Sequence, residues 1–431
     1  MESKVIKIAL LGLGNVGTGV YKVLENQKDL LVKKIGSQVE IKKILVRDKN
    51  KKRSDIVNSE LITDNWQEII QDEEIQIIVE VMGGIEPAKT YILEALEAGK
   101  NVVTANKDLL AEYGKDLLNM ASLHNKDLAF EASVAGGIPI VRPLKQCLAA
   151  NNIYEIMGII NGTTNYILTK MTYENLDFDK ALEEAKKLGY AEADPTADIE
   201  GYDAARKIAI LASLAFQSRV SFKDVYVEGI TKISTADIEY ARELGYVIKL
   251  VGIARNVNDN IETRVHPMFL PKDHPLASVN DSFNAVFVRG DAVGEAMFFG
   301  RGAGELPTAS AVVGDIIDIG RNIIHHSTGR ISCTCYNNLN IHPISEVETS
   351  YYLRMKVKDK PGVMASIASV FGNHDVSLAS VIQKHRTQGK AEIVIVTDIV
   401  KEKYLQDALQ IIKGLSIIEE ISAVIRVGDK N

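Results

Sequence analysis

The sequence is poor in cysteine, with Cys147, Cys333 and Cys335 the only three in 431 residues. So sparse and odd a set does not read as a disulfide framework. Cys333 and Cys335 form a C-x-C pair with no second pair of ligands nearby, which argues against a metal site. Buried or half-buried thiols in a reducing compartment are expected instead. No stretch approaches the ~18 uninterrupted apolar residues of a spanning helix. The opening MESKVIKIALLGLG has only a short apolar run that flows into a glycine-rich turn, too short for a signal peptide and without a small-residue cleavage site. Positive charge is not in excess. The net charge of −7 gives no electrostatic reason to bind nucleic acid or an anionic membrane. Internal repeats and low-complexity tracts are also lacking. What remains is 46% apolar and 25% charged, the balance of an ordinary globular chain, at a length that suggests two to four domains. A cytoplasmic location is expected.

The first part of the chain alternates strand and helix. Val5–Leu11 is a short run rich in β-formers, consistent with a buried parallel strand. A helix is expected over Asn15–Glu25, strands at Val39–Val46 and Ile75–Val81, and a helix over about Pro87–Ala98. A strand at Asn101–Thr104, a helix over Asp108–Asn125 and a strand at Leu128–Glu131 follow. This rhythm implies a doubly wound parallel sheet, and residues 1–137 are read as one domain. From about Ile138 the rhythm changes. Helical segments near 140–150, 163–171, 178–188 and 200–217 are interleaved with strand-like runs at 153–160, 246–256, 261–269 and 283–290, so 138–304 reads as a mixed α+β domain. The stretch 305–325 has helical spacing and an entry marked by Pro307 and Thr308, and is expected to complete the first domain. Residues 326–349 lack a period and read as a linker. Over 350–431 the order is strand (Tyr351–Val357), helix (Gly362–Phe371), strands (Val376–Gln383 and Ala391–Thr397), helix (Lys401–Lys413) and strand (Ile417–Val427), the ferredoxin-like βαββαβ pattern.

Gly12-Leu-Gly14-Asn15-Val16-Gly17 is a G-x-G-x-x-G run that follows Leu11 at the end of a strand and opens a helix, the context that gives this motif its weight. Gly12 permits the tight turn, Gly14 lets the backbone approach a pyrophosphate, and Gly17 allows close helix–strand packing. Amides at the helix start would then hold the phosphates. The end of the second strand carries Arg47, followed by Asp48, Lys49, Asn50, Lys51, Lys52 and Arg53. An acidic residue there accepts from the ribose 2′-OH of NAD, whereas Arg suits a 2′-phosphate. Arg47 favours NADP, and Asp48 keeps NAD open. Individually, Lys49–Arg53 read as a solvated basic loop.

The stretch Gly189–Lys207 is dense in chemistry. Asp203 and Lys207 lie four apart on a helix and share a face. An exposed ion pair explains them equally well in isolation, but the helix continues as Ile-Ala-Ile-Leu-Ala, so its start is expected to be tucked in. A partly buried lysine is a suitable proton donor and acceptor. Glu192, Asp194, Asp198 and Glu200 surround the pair. Lys107 follows the strand Val102–Thr104, at the carboxyl end where ligands gather in an open α/β sheet; a surface residue at a helix start is the competing reading. Two lysines in one pocket would lower each other's pKa. Asn161-Gly-Thr-Thr-Asn165 precedes a helix. Its amides and hydroxyls suit a carboxylate, and ordinary capping by Asn161 or Thr163 explains them equally well.

These blocks together resemble the homoserine dehydrogenase family over nearly the full length. The matching stretches are GLGNVG at 12–17, TANK at 104–107, EASVAGGIP at 131–139, GIINGTTNYIL at 158–168, GYAEADPTADIEGYDAARK at 189–207 and GRGAGELPTASAVVGD at 300–315. The tail, from VKDKPGVMASIASVF, resembles an ACT domain. The resemblance implies a Rossmann-type α/β fold and interconversion of L-homoserine and L-aspartate 4-semialdehyde with NAD(P). It implies Lys207 as proton donor in the reduction direction, with Lys107 assisting beside the nicotinamide. Asp203 and Glu192 would bind substrate at its ammonium, while Gly162, Thr163 and Tyr190 would line its carboxylate region. Gly14, Asn15, Val16, Arg47, Lys107, Gly189 and Gly302 would contact the cofactor. A monovalent-cation site, for Na⁺, would use Glu131 and the backbone oxygens of Val134, Gly136 and Ile138. For the tail it implies feedback control by a pathway amino acid, threonine, with contacts near Asp359, Gly362, Val363 and Asn373 and a homodimer or homotetramer; a purely oligomer-building tail is the alternative. Two rival activities are weaker. Aspartate-semialdehyde dehydrogenase chemistry needs a nucleophilic cysteine, and Cys147 has no nearby His while Cys333 and Cys335 lie outside the site blocks. A non-catalytic sensor is disfavoured because Lys107, Asp203 and Lys207 are all present.

Overall fold

A computed structural model describes residues 5–428 apart from 52, 54, 55, 332 and 388, and only the backbone of 385–387. Lys52 of the basic loop therefore lies outside the described residues. The chain divides into two compact units. One comprises residues 1–156, 209–224 and 284–339, and the other residues 157–208, 225–283 and 340–431.

The first unit holds a six-stranded sheet of β1 (Ile6–Leu11), β2 (Val39–Leu45), β3 (Ile62–Thr63), β4 (Ile75–Glu80), β5 (Asn101–Thr104) and β6 (Leu128–Ala129). All its pairs are parallel, in the order β3-β2-β1-β4-β5-β6. β1 and β4 are buried along nearly their whole length, which is why they read as continuous apolar runs rather than alternating ones. The order reverses between β1 and β4, and that crevice is where such sheets bind dinucleotides. Helix Glu305–Ile324 packs against helix Asn15–Asn26. The approach is close enough that a Cβ on Gly19 would sit 2.7 Å from the Glu305 carbonyl oxygen. Ala309, Val312, Val313, Ile316 and Ile319 join β1 and β2 in one core.

In the second unit, strands Tyr246–Val257 and Asn260–Pro271 form a hairpin whose two turn residues, Asn258 and Asp259, both have positive φ, the turn that matches strand twist. Ile418–Val427 runs parallel to Asn260–Pro271 and antiparallel to Glu348–Lys358, and the sheet continues through Lys390–Thr397 to Leu378–Thr387. Helices Val363–Gly372 and Glu402–Gly414 contribute Ile367, Phe371, Leu405 and Leu409 to a core with Leu353, Met355, Ile393 and Ile395. This is the expected βαββαβ arrangement.

Several local expectations are corrected. The helix near 140–150 is present but short, over residues 141–147, and from Pro143 to Cys147 it is wound as a π-helix, with the Leu148 amide reaching back to the Pro143 carbonyl. Strand Gly294–Arg301 was not expected: its apolar run is only the four residues 296–299, between glycines at 294 and 300, and neither of its faces is fully buried. Helix Thr235–Leu244 was also missed, although Ser234 and Asp237 form a reciprocal capping box. The stretch 326–349 is not featureless: Asn340–Ile341 pairs with Asn260–Ile261, and Ile344–Glu346 is a 3₁₀ turn. Among the described residues, no helix is long and apolar enough to cross a membrane.

Candidate active site

The glycine run occupies the turn between β1 and helix Asn15–Asn26. Gly12 has φ +102°, and a Cβ there would press on the Val81 carbonyl at 3.0 Å. A Cβ on Gly17 would lie 2.3 Å from the Gly12 carbonyl oxygen, so only glycine lets the helix start this close to the turn. Gly14 faces open space, and among the described residues no side chain caps the amides of the first helical turn. An uncapped helix start beside open space at a strand-order reversal suits a pyrophosphate. Arg47 is exposed two residues beyond β2 and has no side-chain partner among the described residues. Three of the neighbouring charges are committed elsewhere, while the Lys51 side chain, like Arg47, has no partner among the described residues. Asp48 accepts from the Asn50 amide at 2.8 Å, Lys49 pairs with Asp64 at 3.3 Å, and Arg53 donates to the carbonyls of Lys51 and Asp48.

On the other side of the crevice, Glu80 ends β4 fully buried. Its carboxylate accepts from Thr104 Oγ1 at 2.6 Å and from the amides of Met82 and Gly83 at 2.8 and 3.1 Å. Burial raises its pKa, and these bonds counter the rise. Asn106 accepts from the Leu109 amide, capping helix Lys107–Leu123, and donates to the Gly84 carbonyl at 2.6 Å. The TANK block thus fixes Lys107 as the first residue of that helix, half-buried. Glu80, Thr104, Asn106, Gly83 and Gly84 were not singled out from sequence. An acid ending a central strand before Met-Gly-Gly is the signal that marks them.

The second unit builds a buried polar network. Lys207 Nζ donates to Asp203 Oδ2 at 2.7 Å and to the Ile160 carbonyl at 2.8 Å. Asn161 Nδ2 donates to the same Asp203 oxygen at 2.8 Å and to Asp198 Oδ1 at 2.7 Å, while its Oδ1 caps helix Gly162–Tyr173 at the Thr164 amide. The side chains of Lys207 and Asp203 are 11% and 7% exposed, which removes the surface ion-pair explanation. Burial raises Asp198, an effect the Asn161 hydrogen bond opposes. Thr163 Oγ1 donates to the Tyr190 carbonyl at 2.6 Å, and the Tyr190 ring packs on Tyr166 with centroids 4.8 Å apart. Asn161 is thus both a cap and a bridge, and the two readings of its loop are not exclusive. Gly189 has φ +76° with open space at its Cβ position, and Glu192 is exposed.

The turn 131–138 carries the residues expected at the cation site. Glu131 is buried, and its carboxylate accepts from the amides of Ile140, Val141 and Arg142 at 2.6 to 2.8 Å and from Arg142 Nε at 3.3 Å. The carboxylate of Glu131 thus accepts from four N–H donors among the described residues. The carbonyls of Val134, Gly136 and Ile138 lie on a tight turn in which Ala135 and Gly136 have positive φ. A Cβ on Gly136 would meet the Gly302 carbonyl at 2.3 Å, so Gly302 closes onto this turn. In the tail, Asp359, Gly362 and Val363 lie at the start of the 10-residue helix Val363–Gly372, and Asn373 caps its other end. About 15 Å of helix separates them, so one small ligand cannot touch both groups within one copy.

Comparison with known proteins bears on the whole chain. Family models described as "Homoserine dehydrogenase, NAD binding domain", "Homoserine dehydrogenase" and "ACT domain" match residues 12–131, 139–317 and 351–416. Homoserine dehydrogenase of Bacillus subtilis is 45% identical over 98% of both chains, and that of Synechocystis is 48% identical over 98% of this chain and 99% of the relative. The crystal structure of a homoserine dehydrogenase from Thiobacillus denitrificans superposes with a TM-score of 0.94 at 40% identity, covering 99% of this chain and 98% of that one. A hyperthermophilic archaeal homoserine dehydrogenase in complex with NADPH gives 0.63 at 29% identity over 73% of this chain and 97% of its own.

Proposed function

The chain belongs to the homoserine dehydrogenase family, and from that premise we propose how its residues carry out the NAD(P)-dependent interconversion of L-homoserine and L-aspartate 4-semialdehyde. The observation that carries the reading is the buried Lys207–Asp203–Asn161–Asp198 network. A bound reduced nicotinamide supplies hydride to the aldehyde carbon. Lys207 gives a proton to the oxygen as it becomes an alkoxide, and its charge stabilises that oxygen beforehand. Asp203 and the Ile160 carbonyl hold the ammonium in place, and Asn161 fixes Asp203. Lys107, at the carboxyl end of β5, assists beside the nicotinamide. Glu192 and Asp203 take the substrate ammonium, and Gly162, Thr163 and Tyr190 the carboxylate end.

The preferred cofactor in this reading is NADP, held at Leu11, Gly12, Gly14, Asn15, Val16 and Gly17, with Arg47 on the 2′-phosphate and Gly189 and Gly302 completing the contacts. Arg47 stands first at the strand tip without a side-chain partner among the described residues, and Asp48 already accepts from its own turn. Glu131 and the main-chain carbonyls of Val134, Gly136 and Ile138 would hold a monovalent cation, which would order the turn that meets Gly302. The ACT portion senses threonine between paired copies, so that the 359–363 turn of one copy and Asn373 of another share the ligand. The assembly is a homodimer or homotetramer in the cytoplasm. The direct test is NADPH oxidation with L-aspartate 4-semialdehyde. Folded protein that binds NADPH yet shows no turnover would remove the assigned catalytic roles.

A further inference from the structure

Cys333 and Cys335, which the activity does not use, border a cavity of about 240 Å³ inside the first unit. Its apolar wall is Leu110, Leu118, Phe130, Ile210 and Leu214. Its charged border is Lys115, Lys145 and Arg219, with the carboxylates of Glu112 and Asp224. Arg219 donates to Cys333 Sγ at 2.8 Å, and Lys145 lies over the Phe130 ring without a hydrogen-bond or carboxylate partner among the described residues. Thr334, between the two cysteines, has a buried hydroxyl with no partner among the described residues. Three cations against two carboxylates, together with the unsatisfied Thr334 hydroxyl, leave this cavity a net positive border that suits the carboxylate of a small ligand. The thiol in it is not ordinary. Cys333 accepts from the Cys335 thiol, from the Cys335 amide at 3.4 Å and from Arg219, and these hold it well below the usual thiol range. The same thiol–thiol bond and burial push Cys335 up. One sulfur is poised as a thiolate and the other as its protonated neighbour, the pairing of attacking and resolving thiols.

We propose that Cys333 and Cys335 form a thiol–disulfide exchange site that accepts small disulfides carrying carboxylates, with Cys333 attacking and Cys335 resolving. The Cys333 thiolate attacks one sulfur of the disulfide, whose S–S bond breaks. One thiolate leaves and takes a proton from water, and the other half stays on Cys333. Cys335 then gives its proton to solvent and attacks Cys333 Sγ, which expels the second thiolate. Two protein thiols become one disulfide, and the small disulfide is reduced by the same two electrons to two thiols. Lys145 and Arg219 take the carboxylate of the half held in the cavity. Exposed Cys147 has neither cation and serves as the internal control.

The test uses the full chain and oxidised glutathione, with peptide mapping. In Cys335→Ser the mixed disulfide should accumulate on Cys333, and in the parent protein it should resolve to a Cys333–Cys335 disulfide. Cationic cystamine should react at least about tenfold more slowly than oxidised glutathione at Cys333, and Arg219→Gln should lose most of that preference. At pH 6 the alkylation of Cys333 by iodoacetamide should outpace that of Cys147 by about tenfold or more. The other ionisable groups bordering the cavity are Glu112, Lys115 and Asp224. They do not give the Cys147 profile to Cys333 unless the assignment is wrong. Modification of Cys147 ahead of Cys333, no adduct on Cys333 in Cys335→Ser, or faster reaction with cystamine would each overturn the proposal.

Discussion

Lys207 has a buried carboxylate and a backbone carbonyl as acceptors, so its ammonium is held in one place rather than swept through rotamers. If it transfers the proton, Lys207→Met should lower kcat by about 10²- to 10⁴-fold with NADPH affinity retained; a variant keeping a tenth of the parent rate would exclude that role. A second residue-scale effect concerns pH. Asp315 is fully buried beside Arg142 and accepts from the Glu131 amide at 2.8 Å. Burial raises its carboxyl from 3.8 to about 7, with Arg142 opposing the rise. The folded value lies above the unfolded one, so the protonated form favours the fold. Its contribution is complete below pH ~4 and is lost as the pH climbs towards 7. Asp315→Asn should therefore flatten the dependence of Tm on pH across that window, and an unchanged slope in thermal melts would contradict the assignment.

At the scale of elements, the site is made of element ends held by buried polar anchors. The strand-to-helix turn is set by contact with Gly17, where any side chain meets the Gly12 carbonyl at 2.3 Å. Gly17→Ala should cost about 1–3 kcal/mol in denaturant unfolding and raise the KM for the dinucleotide; a silent substitution would mean the turn yields more than its geometry suggests. Arg47 stands at another such end, and Arg47→Ala should shift the NADPH-to-NADH ratio of kcat/KM towards NADH by about tenfold, the equivalent of ~1.4 kcal/mol. No shift would return the choice to Asp48. Helix Gly162–Tyr173 is tied to the 279–280 segment by Lys249, which donates to Asn165 Oδ1, the Val279 carbonyl and Asn280 Oδ1. Such anchors are spread along the chain, which is why none stood out in a window of sequence.

At the scale of the whole molecule, the ACT-type strands belong to the same compact unit as Lys207. Arg354, on strand Glu348–Lys358, pairs with Asp237 at 2.8 Å, and the Tyr352 hydroxyl donates to the same carboxylate. Asp237 is 0% exposed, so Arg354→Met should cost about 3–5 kcal/mol by leaving a buried charge without its partner. For the same reason, deleting residues 350–431 would strip cover from the unit that holds Lys207. The effector assignment is better tested on the full chain: Asp359→Ala and Asn373→Ala should each weaken inhibition by threonine while leaving uninhibited turnover unchanged. Equal inhibition in parent and variants would reject the site. The sequence by itself determined the parallel nucleotide-binding sheet, the βαββαβ tail and the dehydrogenase blocks. Apolar runs, glycine spacing and the i,i+4 pair of Asp203 and Lys207 are local, and local patterns survive in a one-dimensional string. Only the tertiary structure decided that Glu131 spends its carboxylate on four N–H donors, that Glu80 ties down the loop beyond β4, and that Cys333 lies against Arg219. The last joins residues 114 apart in sequence, while the other two draw on amides 2 to 11 residues along, in turns whose orientation the packing sets, and burial then decides how strongly each pair acts.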